Sequence, residues 1–187
     1  MFKNKFKEYL RENYRFLLSL VIILSVGIMS HTIFAVSTVD GKSMENSLHN
    51  HDNVIINKQA YKNSEPKRFD ICVFKPYANE NTYYIKRIIG LPGETVQIKL
   101  DENTNNYFVY IDGKRLNEDV YGKENILNPG DLNVPVTLMK DQYIVLGDNR
   151  NNSRDSRDPS VYIVNKSQIV GKADFRIFPI DRFGSLK

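Results

Sequence analysis

One cysteine, Cys72, and three histidines, His31, His49 and His51, are all that this 187-residue chain holds of those two residue types. A single cysteine excludes an intrachain disulfide and by itself identifies no redox compartment. Cys72 lies in the apolar stretch "FDICVF" and reads as a small buried strand residue. His49 and His51 form the pair in "HNHD", without the paired cysteines or helical spacing of a metal site, so no metal ligand and no cofactor is expected. The same scarcity leaves a Ser-His-Asp triad poorly supplied. A net charge of +4 is too small to make nucleic acid the default partner. No internal repeat is visible, and no amphipathic helical pattern of comparable length appears outside the long apolar run of residues 16 to 36.

Residues 16 to 36, "FLLSLVIILSVGIMSHTIFAV", lack any carboxylate, lysine or arginine. As a helix this run is roughly 30 Å long, the thickness of a bilayer core. Lys3, Lys5, Lys7, Arg11 and Arg15 precede it against Glu8 and Glu12, and the first charge after it is Asp40. The positive-inside rule then predicts a cytoplasmic segment 1–15, a transmembrane helix 16–36 and an extracytoplasmic region 37–187 in the cell membrane. A cleavable secretory signal is the rival reading. It too has a basic start and an apolar run, and "AVS" at Ala35 to Ser37 has the small residues of a cleavage site. The run is long for a signal's apolar region, which favours the anchor.

What remains reads as strands. The runs 53–58, 69–75, 82–90, 95–100, 106–113, 142–148 and 171–178 are short and rich in β-branched and aromatic residues. Turn signals such as "LPGE", "NPGD" and "GDNRNNS" separate them. An all-β extracytoplasmic domain follows. Polar residues concentrate in "DENTNN" and "GKENILNPGDLNVP", so about 98–138 is read as a subdomain inserted into the main sheet.

Ser43, in "GKSM", sits just beyond the apolar run, where serine is a common turn residue. If it is a nucleophile, its base must come from a residue other than histidine. Lysine serves once burial lowers its pKa; a fall from near 10.4 to about 8 costs roughly 3.3 kcal/mol for the ammonium. "YYIKRIIG" offers Lys86 among apolar neighbours. Spacing does not separate Lys86 from Arg87, since apolar residues lie on both faces. Arginine does not act as a base at accessible pH, so only Lys86 fits the role.

The stretches "SMENSL", "FDICVF", "YYIKRIIGLPGE" and "GDNRNNSRDSR" come in the order of the sequence boxes of the type I signal peptidases, and from about residue 16 to 178 the chain resembles that family. The last box and the lysine box are the most specific. The serine box departs: the family's Ser-Met-x-Pro-Thr-Leu has Asn46 and Ser47 here in place of Pro and Thr.

The resemblance implies a signal-peptidase-like β fold and a membrane-bound endopeptidase that removes signal peptides from secreted preproteins. It implies Ser43 as nucleophile, Lys86 as general base and Ser153 as the hydroxyl that orients the amine. Asp155 and Arg157 would form a bracing ion pair, with Asp148 and Asn149 in the same supporting loop. The oxyanion would be held by the Ser43 N–H. Gly41, where some relatives have a hydroxyl, offers only backbone. Small substrate residues one and three positions before the cut would meet Val39, Met44, Leu48 and Tyr84, and Val39, Val54, Val73 and Ile85. The substrate would lie extended beside the sheet. The implied partners are secreted preproteins and the lipid bilayer. Pilin precursors are the alternative, through a signal-peptidase-like assembly factor for surface pili. A self-cleaving repressor of related fold would carry a DNA-binding domain where this chain has its apolar run.

Overall fold

The computed structural model describes residues 2–77 and 82–186, and within its single long helix the side chains of residues 11, 13–25, 27, 32 and 33. That helix, α1, is Phe2–Ile33. It begins well before residue 16, and its end differs from the expected span. Residues 34–36 are extended and belong to strand β1, Phe34–Thr38. The reason lies in pairing. β1 runs antiparallel to β2 (Asn53–Asn57), with Ala35 opposite Ile56 and Ser37 opposite Val54. Its ladder bonds take the place of the next helical turns. No loop separates helix from strand, and the Lys58 N–H donates to Ile33 O, the last carbonyl of α1, at 2.8 Å. Among the described residues no helix is long and apolar enough to cross a membrane. The charges at residues 3–8 and 12 lie outside the described side chains.

The rest is mostly β. The first sheet runs in the order β1-β2-β11-β3-β4-β9-β10, with β12 beside β11. Its further strands are β3 (Ile71–Phe74), β4 (Tyr84–Gly90), β9 (Gln142–Leu146), β10 (Val164–Asn165), β11 (Ile169–Phe178) and β12 (Gly184–Ser185). β11 carries register shifts against both neighbours. Such bulges bend a strand and increase its twist. The second sheet, in the order β7-β6-β5-β8, uses β5 (Thr95–Asp101), β6 (Asn106–Ile111), β7 (Lys114–Arg115) and β8 (Val136–Thr137). It joins the first through one apolar cluster in which Val96, Ile98 and Val109 meet Ile89, Ile144 and Leu146.

Two features of β4 position the site. Lys86 and Arg87 are consecutive and so point to opposite faces; both are buried. Residues 84–87 pair with β3, but pairing with β9 begins only at Arg87. The other edge of Tyr84 to Lys86 is therefore left open by β9.

Candidate active site

Ser43 stands in a tight turn after β1. Met44 and Leu48 hold that turn down from below. Both are fully buried, in a cluster with Val39, Val54, Ile71 and Val73. Burying a side chain of this size contributes about 1.5–3 kcal/mol. The Leu48 N–H donates to Met44 O at 2.8 Å, and the Gly41 N–H to the Asn50 side chain at 2.8 Å. Gly41 has φ +104°, a conformation that favours glycine. The neighbouring histidines belong to this turn structure: His49 N–H donates to Asp52 Oδ2, and the buried Asp52 carboxylate is paired with Arg176 and Arg182.

Lys86 reaches Ser43 from β4. Its Nζ donates to Ser43 Oγ at 2.7 Å and to Ile85 O at 2.9 Å. Burial lowers its pKa from 10.5 to about 8, while Asp155, Cys72 and Asp148 pull in the opposite direction. Cys72, directly opposite Lys86 in the β3–β4 ladder, is buried and has its thiol pushed up to about 12, so it stays neutral. A buried amine that loses its proton near pH 8, in contact with a hydroxyl, is suited to accept that hydroxyl's proton.

The loop after β9 fixes the Ser43 backbone. The Asn149 N–H donates to Ser43 O at 3.1 Å, and its side-chain amide to Lys42 O at 3.2 Å. Beside it, Asp148 receives two bonds from Arg87, at 2.8 and 2.7 Å, with both side chains fully buried. Arg87 also donates to Phe69 O and to Ser47 Oγ. Asp155 receives Arg157 in the same two-pronged way, at 2.8 and 2.7 Å, and accepts the Gly147 N–H at 2.9 Å.

Ser153 is placed differently from its expected part. Its Oγ is buried and bonds to no described group, while the Lys86 amine bonds Ser43 and Ile85 instead. Ser153 packs against Gly147. A Cβ at position 147 would collide with Ser153 Oγ and with the Ser43 carbonyl oxygen.

A cleft of about 320 Å³ opens over the Ser43–Lys86 contact. Of the seven residues expected to meet substrate, Val39, Val54, Val73, Tyr84 and Ile85 line it. Met44 and Leu48 do not; they are core beneath the turn, because the 44–48 turn points them inward. On one side the cleft is bounded by Ser37 and Thr38 of β1, the edge strand of the sheet. The open edge of Tyr84 to Lys86 bounds the other. Asn152 and Arg154, which sequence reasoning passed over, stand at its rim.

The family model for signal peptidases, peptidase S26, matches residues 11–178. The chain belongs to the signal peptidase S26 family. It is 37% identical over 175 residues to signal peptidase I P of Bacillus subtilis subsp. natto, covering 90% of each chain. It is 36% identical to signal peptidase I of Bacillus amyloliquefaciens, over 90% of this chain and 88% of that one. With signal peptidase IB of Staphylococcus aureus (strain COL) the identity is 31%, over 95% and 93%.

As a member of the S26 family the chain has the peptidase's mostly-β fold, and its departures acquire structural meaning. Asn46 has φ +91°. Proline is locked near −65°, so this turn is one that the usual box residue does not enter. Ser47 retains the hydroxyl of the threonine it replaces, and its oxygen accepts a hydrogen bond from Arg87 at 3.0 Å. Arg87 is no base at accessible pH. It is nonetheless central to the site, as the partner of Asp148. Its signal was present in the charge: two adjacent cations in an apolar strand demand at least one buried counter-ion.

Proposed function

We propose that this protein is a serine endopeptidase that cuts signal peptides from secreted preproteins, with Ser43 as nucleophile and Lys86 as general base. The 2.7 Å contact between a buried lysine amine and a serine hydroxyl carries this reading. With the amine neutral, Ser43 Oγ attacks the scissile carbonyl as its proton passes to Lys86 Nζ. The oxyanion forms beside the Ser43 N–H. Lys86 then returns the proton to the leaving amine, an acyl-enzyme remains, and water releases it by the same route in reverse. Asn149, Asp148 with Arg87, and Asp155 with Arg157 hold the nucleophile's backbone and the loop beneath it. The geometry gives less support to Ser153 as the group that orients the amine.

The substrate would lie extended in the cleft, bonded to the edges of β1 and of residues 84–86. Val39, Val54, Val73 and Ile85 leave room for small side chains before the cut. The 16–36 run is proposed as a membrane anchor, with residues 37–187 outside the cell and 98–138 as an inserted subdomain. Residues 18–25 are exposed on every side of α1, which is costly in water and natural in lipid. No relative named above points to a pilus-assembly role.

Ser43→Ala and Lys86→Ala test the reading in a preprotein cleavage assay. Each should abolish product, and the double variant should be little worse than either single one. Substantial cleavage by purified Lys86→Ala protein would remove the assigned base.

A further inference from the structure

The segment 116–135, between β7 and β8, carries none of the boxes, yet it lies against the catalytic loop along much of its length. Asp119 Oδ2 is 2.6 Å from Arg150 Nη2, and Arg150 Nε donates to Gly147 O at 3.1 Å. Gly122 lies so close to the Arg150 guanidinium that a Cβ there would stand 2.7 Å from Nε. The Asn151 amide donates to Asn125 O at 2.9 Å, and its oxygen accepts the Leu127 N–H at 3.0 Å. Tyr121 stands among these contacts. The Arg87 guanidinium carbon lies 3.5 Å from the centre of its ring, a stacked cation–π contact, and the ring packs on Phe69 at 5.5 Å between centroids.

Arg87 is thus fixed in two ways. Its hydrogen bonds, to Asp148, Phe69 O and Ser47, hold the edges of the guanidinium. Tyr121 covers a face. Arg87 adjoins Lys86 in β4, and Asp148 adjoins Asn149, which holds the Ser43 carbonyl. Movement of Arg87 is therefore felt on both sides of the Ser43–Lys86 contact.

We propose that Tyr121 is a positioning residue for the peptidase reaction: its ring holds Arg87 against Asp148, and that pair in turn sets the contact and the electrostatics of Ser43 and Lys86. This rests on the Ser43/Lys86 reading above. It also gives the inserted segment a part in catalysis.

A change of charge follows. The groups facing Lys86 are Asp148 and Asp155 from the loop after β9, Cys72 from β3, Ser43 and the Tyr84 ring. Both carboxylates favour the ammonium, and each is countered by its own arginine. If Arg87 loosens, Asp148 acts on Lys86 with less compensation. The ammonium is then retained to higher pH, and the base becomes available later.

The experiment uses the purified full chain in detergent micelles, with preprotein cleavage followed from pH 6 to 10. Tyr121→Leu should move the acid limb of kcat/KM up by about one pH unit, with about a tenfold loss at pH 7, largely in kcat and mostly recovered at pH 10. Tyr121→Phe, which keeps the ring, should match the wild type within twofold and keep its limb. The position of the limb does not depend on how much of a preparation is folded, so partial misfolding of the Leu variant does not hide the result; Tyr121→Met, of similar bulk without a ring, should repeat the shift. An unmoved limb in both ringless variants, or an equal loss at every pH, overturns the role of Tyr121 alone. A wild-type profile with no acid limb overturns Lys86 as the base and the Tyr121 proposal with it.

Discussion

Lys86 and Ser43 meet at 2.7 Å although 43 residues separate them, and the amine that makes the contact is almost wholly removed from water. Its pKa of about 8 sets the pH at which the proposed base is free. Below pH 8 the reactive fraction should fall about tenfold per unit, so kcat/KM should climb steeply from pH 6 and level off above 8. Cleavage rates of a preprotein across pH 5 to 10 check this. A profile flat from about pH 5 to 9 counts against a lysine base.

The same burial makes Lys86 a burden on the fold. Its pKa is about 8 folded and near 10.5 unfolded, so between those values the unfolded chain binds more protons and stability rises with pH. Below pH 8 the full penalty, roughly 3 kcal/mol as an upper bound, stands. Lys86→Met, inactive, should therefore melt at higher temperature than the wild type at pH 7, and the difference should shrink towards pH 10. Thermal unfolding at both pH values measures it. A variant less stable at pH 7 would show that the amine's bonds to Ser43 and Ile85 outweigh its desolvation.

Asn46 offers a test of the turn. At φ +91° glycine is at ease and proline is excluded. Asn46→Gly should leave unfolding within about 0.5 kcal/mol of the wild type, whereas Asn46→Pro should lose more than about 1 kcal/mol. Denaturant titration separates the two. A proline variant as stable as the wild type would mean that the turn takes another course.

Gly147 packs against Ser153 and the Ser43 carbonyl. Alanine there drives into Ser153 Oγ and the Ser43 carbonyl oxygen, and one of these is backbone. Gly147→Ala should lower kcat by tenfold or more by pushing Ser43 out of line. Adding Ser153→Ala removes only one of the collisions, so the double variant should not recover. Recovery to near wild-type rates would show that the Ser153 hydroxyl alone was the obstacle.

The seven strands read from β-branched and aromatic runs are all present, because short apolar runs between turn signals have few other ways to bury themselves. β1 escaped notice. Its residues continue an apolar run without interruption, and only the partner strand Asn53–Asn57 decides that Phe34 is where the helix stops. Ser43 and Lys86 were legible by elimination and by the order of the boxes. Met44 and Leu48 lie in the core and not in the cleft lining, a distinction that box position leaves open. Long-range partners were out of reach: Arg87 with Asp148, or Tyr121 over Arg87, depends on how two sheets are laid together.

The direct passage from α1 into β1 has a mechanical consequence. Five residues at about 3.3 Å each carry the chain roughly 17 Å from the end of the helix to Thr38, in a strand paired to β2 along its whole length, and only residues 39–42 then lead to Ser43. A tether of that kind has no slack. With the helix seated in a bilayer as proposed, Ser43 would stand at one height above the lipid and stay there. The enzyme would then act as a gauge, cutting a preprotein only if the distance between its own apolar segment and its small residues matched that height.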